Sequence, residues 1–365
     1  MPDSRALPHV SAATAADTDA AGINPAASPD GFVPLRVKHV VRETRDAISL
    51  VLDVPESSAR HFGYQAGQFL TLLVCVNGLE HRRCYSMSSS PVVGEDLRIT
   101  VKRDRDGVVS NWLNDTAAAG DEVYALPPQG RFVLKDSDRE LVAFAGGSGI
   151  TPVFSLLRSA LMSSTRNARL FYANRSRDSV IFDEALASLS DRHAGRFVVR
   201  HHLDDERGIV TPAHIEAFVA GTDEADFYIC GPGPFMDTVE TTLLAVGVAA
   251  DRVHVEHFEV AGTSPASPGD AGDAVTEEVT IELRGQKVTV AYSQGDTLLQ
   301  TARMAGLRAP SSCEIGSCGT CMARLTQGSA RMINNDALDK DEVDEGWVLT
   351  CQSLPTSRTV RVVYE

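Results

Sequence analysis

Cys313, Cys318, Cys321 and Cys351 carry the sharpest chemical signal in this chain. Three of the thiols fall in a C-x4-C-x2-C run and the fourth lies on a distant segment. Zinc sites built from cysteine usually come as two C-x2-C knuckles, whereas three thiolates on one loop with a remote fourth is the plant-type spacing of a [2Fe–2S] cluster. Gly316 and Gly319 sit inside the loop, where backbone without Cβ can wrap closely and aim N–H groups at the sulfurs. Four buried apolar cysteines would leave that glycine spacing without a reason. An all-thiolate cluster of this kind carries single electrons at a potential of about −400 mV.

Two further groupings suit a flat redox cofactor and a dinucleotide. In His81-Arg-Arg-Cys-Tyr-Ser-Met-Ser-Ser-Ser-Pro91 an Arg fork can neutralise a diphosphate, an aromatic ring can pack on a heterocycle and a hydroxyl can bond a ring nitrogen. A polar strand edge would have the same composition. Val101-Lys-Arg103 leads to Gly107-Val-Val-Ser110-Asn-Trp-Leu113, where glycine and serine open a helical stretch and make an anion site. Gly146-Gly-Ser-Gly149-Ile-Thr-Pro152 follows an apolar strand and opens a helix, with Pro expected at its first position. Glycines at such a junction let a phosphate reach backbone N–H groups at the positive helix end, although an ordinary tight turn reads the same way. Cys230-Gly-Pro-Gly-Pro-Phe-Met236 forms a second such junction, and the pair make a nucleotide crevice.

These residues need elements to hold them. From Phe32 to about residue 135, short alternating runs such as Leu35–Arg42, Ala47–Asp53, Gln68–Val76 and Leu97–Arg103 predict an antiparallel β-barrel. Residues 136–260 alternate apolar runs with helical stretches, Pro152–Met162 and Pro234–Val246 among them, which predicts an α/β doubly wound parallel sheet. Residues 261–274, AGTSPASPGDAGDA, hold no large apolar residue and read as a flexible linker. Residues 275–365 then form a small domain with a hairpin at Arg284-Gly285, a helix over Asp296–Ala305 opened by an Asp-Thr cap, and the cysteine loop. Residues 1–31 read as a disordered tail, without the charged and apolar pattern of a leader.

The chain's 365 residues suit two or three cores, and the net charge of −15 disfavours nucleic acid or an anionic membrane as partner. Seven cysteines, three of them clustered, point to a metal in a reducing, cytoplasmic setting rather than to disulfides. Cys75 reads as core, Cys84 as a backbone contributor to the Arg-Tyr-Ser motif, and Cys230 equally as crevice or core. Adjacent His201 and His202 should face opposite ways on a strand, and Trp112 and Trp347 should be packing residues. Residues 335–346 hold six acids against one Lys, a solvated helix face or a steering patch for a basic partner.

Arg83-Cys-Tyr-Ser86, the G-G-S-G-I-T-P stretch and the C-G-P-x-x-x-M stretch precede the plant-type cysteines in an order that resembles the oxygenase-reductase branch of the ferredoxin–NADP reductase superfamily, fused to a C-terminal [2Fe–2S] ferredoxin. Asn111-Trp-Leu113, Tyr172-Ala-Asn-Arg175, Ser179-Val-Ile-Phe182 and Cys351-Gln-Ser353 resemble the 3-ketosteroid 9α-hydroxylase reductases within it. The resemblance implies a β-grasp fold for the last domain, FAD in the barrel, and a monomer that passes electrons from NAD(P)H to a terminal oxygenase.

It also implies roles. Arg83 holds a flavin phosphate, Cys84 lends backbone, Tyr85 packs on the ring and Ser86 approaches its N5, while Val101, Lys102, Gly107, Val108 and Ser110 surround FAD. Gly147, Ser148, Gly149, Thr151 and Pro152 take the nicotinamide cofactor's diphosphate, with Gly231, Pro232 and Met236 across the crevice and Cys230 near the nicotinamide. Glu256-His-Phe258 resembles the family's E-x-F ending, whose aromatic shields the flavin. Ser176 with Arg175 and Arg177 suits a 2′-phosphate, and no acid follows until Asp178, whereas the resemblance favours NADH; NADH is the expectation, with NADPH open. A betaine-type demethylase, a phenylacetyl-CoA epoxidase or a cytochrome P450 are other terminal partners, and a redox sensor is the non-catalytic alternative.

Overall fold

The computed structural model describes residues 31–258 and 276–364, apart from 223, 312, 313, 315, 317 and 336. The expected linker and all but Gly31 of the expected tail lie outside the described residues. Each of three successive stretches builds its own main sheet, and the third adds a small two-stranded one.

The first contains β1 (Val33–Thr44), β2 (Ala47–Asp53), β3 (Phe69–Val76), β4 (Leu79–Ser86), β5 (Leu97–Lys102), α1 (Val108–Thr116) and β6 (Glu122–Ala125). Its strands pair antiparallel in the order β4-β3-β6-β1-β2-β5. A bridge between Met87 and Ile99 brings the end of β4 to β5 and closes the barrel. Alternate residues such as Ile48, Leu50 and Leu52 on β2, and Leu70, Leu72 and Val74 on β3, fill the interior, as a two-residue period requires. Cys75 has the opposite parity, so it points outward and is only half-buried; the core assignment does not hold.

The second stretch runs β7 (Glu140–Gly146), α2 (Ile150–Ser163), β8 (Ala168–Asn174), α3 (Asp183–Arg192), β9 (Phe197–Leu203), α4 (Asp204–Arg207), α5 (Pro212–Val219), β10 (Ala225–Cys230), α6 (Gly233–Ala245) and β11 (Val253–Glu256). The all-parallel order β11-β10-β7-β8-β9 reverses direction between β7 and β10. Such a reversal opens a crevice at the carboxyl ends of the strands. α2 and α3 cover one face and α5 and α6 the other, which is why β10 is buried along its whole length. Pro152 is the third residue of α2 rather than the first, because a 3-10 turn at Gly147–Gly149 already winds the chain. His202 is buried, with Nε2 2.8 Å from Gly208 O, and His201 lies beside Tyr172.

The third stretch holds β12 (Glu278–Leu283), β13 (Gln286–Ala291), α7 (Leu298–Met304), β14 (Met322–Gln327), β15 (Ala330–Met332), α8 (Lys340–Asp344), β16 (Trp347–Leu349), β17 (Ser353–Pro355) and β18 (Thr359–Tyr364). Its mixed sheet, β13-β12-β18-β14-β16, is parallel at β12–β18, and α7 packs Leu298 and Ala302 across it in a β-grasp. The helix begins after Thr297, the second residue of the expected Asp-Thr cap, whose hydroxyl accepts from Gln300 N. Trp112 and Trp347 pack against the barrel core and the cysteine cluster's core.

α2 also joins the first two stretches. Ser155 Oγ donates to Ser89 O at 2.6 Å and Ser159 Oγ lies 2.7 Å from Ser90 Oγ, all buried. Arg158 Nη2 adds a 2.9 Å bond to Glu95 Oε2. Ser155→Ala should leave the Ser89 carbonyl unsatisfied and cost about 1–3 kcal/mol, read as a lower urea midpoint.

Candidate active site and cluster loop

The end of β4 presents Arg83, Tyr85 and Ser86 together. Ser86 is 3% exposed, and its hydroxyl oxygen is buried without a hydrogen-bond partner. A buried hydroxyl left unpaired is costly, so a flavin ring nitrogen would supply what this position lacks. Tyr85 packs against the barrel core, and burial raises its phenol well above the ordinary value, keeping it neutral. Arg83 Nη1 donates to Arg82 O at 2.7 Å. At the start of α1, Ser110 Oγ accepts from Asp104 N at 3.2 Å and closes the loop around Gly107, leaving Val108 exposed at the helix N-terminus. Val101 is fully buried in the barrel, so only its backbone can face a cofactor. The Lys102 amine, lowered chiefly by burial and then by Arg175, reaches the nucleotide crevice.

Across that crevice two glycine turns meet backbone to backbone. A Cβ on Gly149 would lie 2.0 Å from Cys230 O, so no side chain fits there. Thr151 Oγ1 bonds Ser148 O at 2.9 Å, and Thr151, Pro152 and Met236 are buried. They shape the turns, while Gly147, Ser148, Gly231 and Pro232 form the crevice backbone. The Cys230 thiol is fully buried, and burial together with Glu256, its register partner on β11, pushes it well up. Phe258 follows and is 38% exposed. Arg175 lies 3.7 Å from Asp46 across the domain boundary, and Arg177 Nη2 bonds Asp183 at 2.8 Å. Asp46, in the turn between β1 and β2, lines one pocket with Arg175, a pairing that local sequence could not reveal because the two are far apart in the chain.

In the third stretch Cys321 and Cys351 lie within hydrogen-bonding reach of each other, with Cys318 near enough to act on Cys321 through space, although no three metal-ligating side chains among the described residues gather as a preformed site. Hydrogen bonding from Cys351 draws the Cys321 thiol below its ordinary value, and Cys318 is close enough to oppose this. Cys313 lies outside the described residues. Thr320 N–H points at Cys318 Sγ from 3.5 Å, a donor of the kind that tunes thiolate-bound iron. Gln352 Nε2 donates to Glu314 O at 2.8 Å and Thr350 Oγ1 to Cys321 O at 2.8 Å, holding the loop on the segment that bears Cys351. Gly316 has a φ of +88° with Asn334 O only 3.0 Å from where a Cβ would be. A [2Fe–2S] cluster suits this donor set. Burial raises the Cys84 thiol to about 12, with smaller contributions from Cys318, Glu256 and Glu314, so the flavin strand and the cluster loop adjoin. Arg82 Nη1, 3.3 Å from Ser311 Oγ, makes a direct contact between them. The acidic run supplies α8, where Lys340 pairs with Asp344 and Glu342 lies 3.8 Å from Arg131 of the barrel stretch.

Residues 34–134 match the oxidoreductase FAD-binding domain, 144–241 the oxidoreductase NAD-binding domain and 281–356 the 2Fe-2S iron-sulfur cluster binding domain. The chain is 39% identical, over 95% of its length and 99% of the relative's, to the ferredoxin reductase component of 3-ketosteroid-9-alpha-monooxygenase from Mycobacterium tuberculosis. This chain belongs to the oxygenase-reductase family. Within the family it is 31% identical to a component of the 1,2-phenylacetyl-CoA epoxidase of Escherichia coli, over 92% of this chain and 98% of that one. Phthalate dioxygenase reductase, a modular structure for electron transfer from pyridine nucleotides to [2Fe–2S], superposes with a TM-score of 0.61 at 27% identity, covering 92% of this chain and 98% of that chain. This oxygenase reductase is thus an oxidoreductase using FAD, NAD(H) and a [2Fe–2S] cluster for electron transfer. No helix among its described residues is long and apolar enough to cross a membrane. Gly149→Ala should force its two crevice turns apart and raise KM for NADH roughly tenfold or more with flavin content retained, measured by NADH titration.

Proposed function

We propose that this chain is the monomeric reductase of a Rieske-type oxygenase that hydroxylates a 3-ketosteroid, drawing electrons from NADH. The observation that carries the reading is the end-to-end likeness to the steroid monooxygenase reductases, which spans the FAD-binding, NAD-binding and iron-sulfur domains. When bound, FAD accepts a hydride from NADH and the cluster passes electrons outward one at a time.

The chain's residues then have distinct tasks. Arg83 and the Gly107–Ser110 turn hold the FAD diphosphate, Tyr85 packs on the ring, and Ser86 donates its otherwise unpaired hydroxyl to N5. The Gly147–Gly149 turn and Gly231-Pro232 hold the nicotinamide cofactor's diphosphate, and buried Cys230 presents a neutral thiol to the nicotinamide. Phe258 covers the flavin until NADH displaces it. Cys313, Cys318, Cys321 and Cys351 ligate the iron, and the segment 261–274 tethers the ferredoxin domain (275–365) to the FAD barrel (32–135) and the NAD domain (136–260). No side chain needs to move a proton for the hydride to transfer, so the protein's work is alignment and exclusion of water.

Ser86→Ala should slow flavin reduction by roughly tenfold in stopped-flow mixing with NADH. Cys351→Ser should abolish NADH-driven cytochrome c reduction and retain ferricyanide reduction at the flavin; equal loss of both would refute the electron route. Co-purification with a steroid-hydroxylating oxygenase tests the partner, and electron transfer to it should slow as salt rises if the acidic α8 surface steers docking.

A further inference from the structure

At the carboxyl end of β8 a pocket of about 220 Å³ opens between the NAD and flavin domains. Arg175, Ser176 and Asp178 form one wall, and Thr44, Arg45 and Asp46, from the turn between β1 and β2, form the other. In a doubly wound sheet the adenosine ribose lies near this strand end, where an acid suits a 2′-hydroxyl and an Arg suits a 2′-phosphate. Lys102 links the pocket to the phosphate-binding turn. Its amine is 3.0 Å from where a Cβ on Gly147 would sit, and it feels the charges of both Arg175 and Asp46.

Composition alone would assign these arginines to a 2′-phosphate, yet each faces a carboxylate. Arg175 Nη2 lies 3.7 Å from Asp46 Oδ2, Arg45 Nε 3.6 Å from Asp46 Oδ1, and Arg177 bonds Asp183. The Ser176 hydroxyl, which would otherwise be offered to a phosphate, donates to Asp178. Two arginines against Asp46 and Asp178 leave the lining neutral. A ribose diol enters such a pocket without charge repulsion, whereas a phosphate dianion meets two carboxylates that offset the attraction of the two guanidiniums.

Asp46 occupies the central place in this arrangement, because it faces both arginines. Its position is held by its backbone: Asp46 N donates to Thr44 Oγ1 at 3.2 Å, and Asp46 O accepts from Arg103 N at 2.7 Å. The ion pair itself adds little stability, since the Arg175 side chain is 71% exposed. Its effect falls on whatever enters the pocket.

We infer that Asp46, contributed by the flavin barrel, is a specificity-determining residue that favours NADH over NADPH by cancelling Arg175 and repelling a 2′-phosphate. This rests on the NADH reading above and names the residue responsible. Selection of the nucleotide then depends on the barrel being docked against the NAD domain.

The test is calorimetric binding of ADP and of 2′,5′-ADP to the full-length holoprotein, alongside kcat/KM for NADH and NADPH. Wild type should bind ADP more tightly than 2′,5′-ADP. Asp46→Asn, which suits the same turn, should strengthen 2′,5′-ADP binding roughly tenfold and change ADP binding less than about twofold. Asp46→Glu should retain the wild-type discrimination, and adding Arg175→Ala to Asp46→Asn should remove the gain. Wild type that prefers 2′,5′-ADP would overturn the NADH reading. Wild type that prefers ADP, with 2′,5′-ADP affinity unmoved in Asp46→Asn, or with Asp46→Glu behaving like Asp46→Asn, would overturn the role of Asp46 and leave that reading standing.

Discussion

Ser155 of α2 donates to the carbonyl of Ser89 from within a water-excluded seam, and Ser159 meets Ser90 one turn further along the same helix. The acceptors lie just beyond Tyr85 and Ser86, while the N-terminal end of α2 is the Gly147–Gly149 turn. One rigid helix therefore carries the nucleotide turn at its start and grips the flavin strand's continuation along its side. Hydride transfer needs two rings aligned within a fraction of an ångström, and a buried hydrogen bond, costly to break, is suited to holding that alignment.

The contact also brings the β1–β2 turn against the end of β8, so the pocket proposed for the adenosine ribose is shared between two domains. The end proposed for the nicotinamide is different in character. Cys230 and Glu256 are buried on neighbouring strands, and the thiol stays protonated because burial opposes its ionisation. On the far side of β4, Arg82 and Cys84 adjoin the cluster loop. β4 thus carries Arg82 and Cys84 beside the cluster loop and, at its end, the Tyr85 and Ser86 that the proposed reading assigns to the flavin.

Much of this is legible in the order of residues. The cysteine spacing, the two glycine junctions and the Arg-Cys-Tyr-Ser motif are local patterns, each within one turn or loop. The strands of the barrel and the parallel sheet follow from two-residue alternation and continuous apolar runs. Cys75 reads as core from its apolar neighbours, but such a neighbourhood does not reveal parity, and the side chain faces outward. Pro152 suits the start of a helix, yet the winding begins earlier, in a 3-10 turn. The partners of Arg175 and Arg177 cannot be read at all: one is contributed by a different domain and the other by the start of α3.

The sequence by itself determined the ligand types, the glycine positions and the class of each domain, because those depend on spacing along the backbone and on periodicity. Tertiary structure alone decided which charges face one another. Asp46 and Arg175 meet only through the docking of two separately folded cores, and whether an arginine is available to a phosphate depends on that meeting. Local patterns name the groups that can bind; electrostatics, acting through space, decides what they accept.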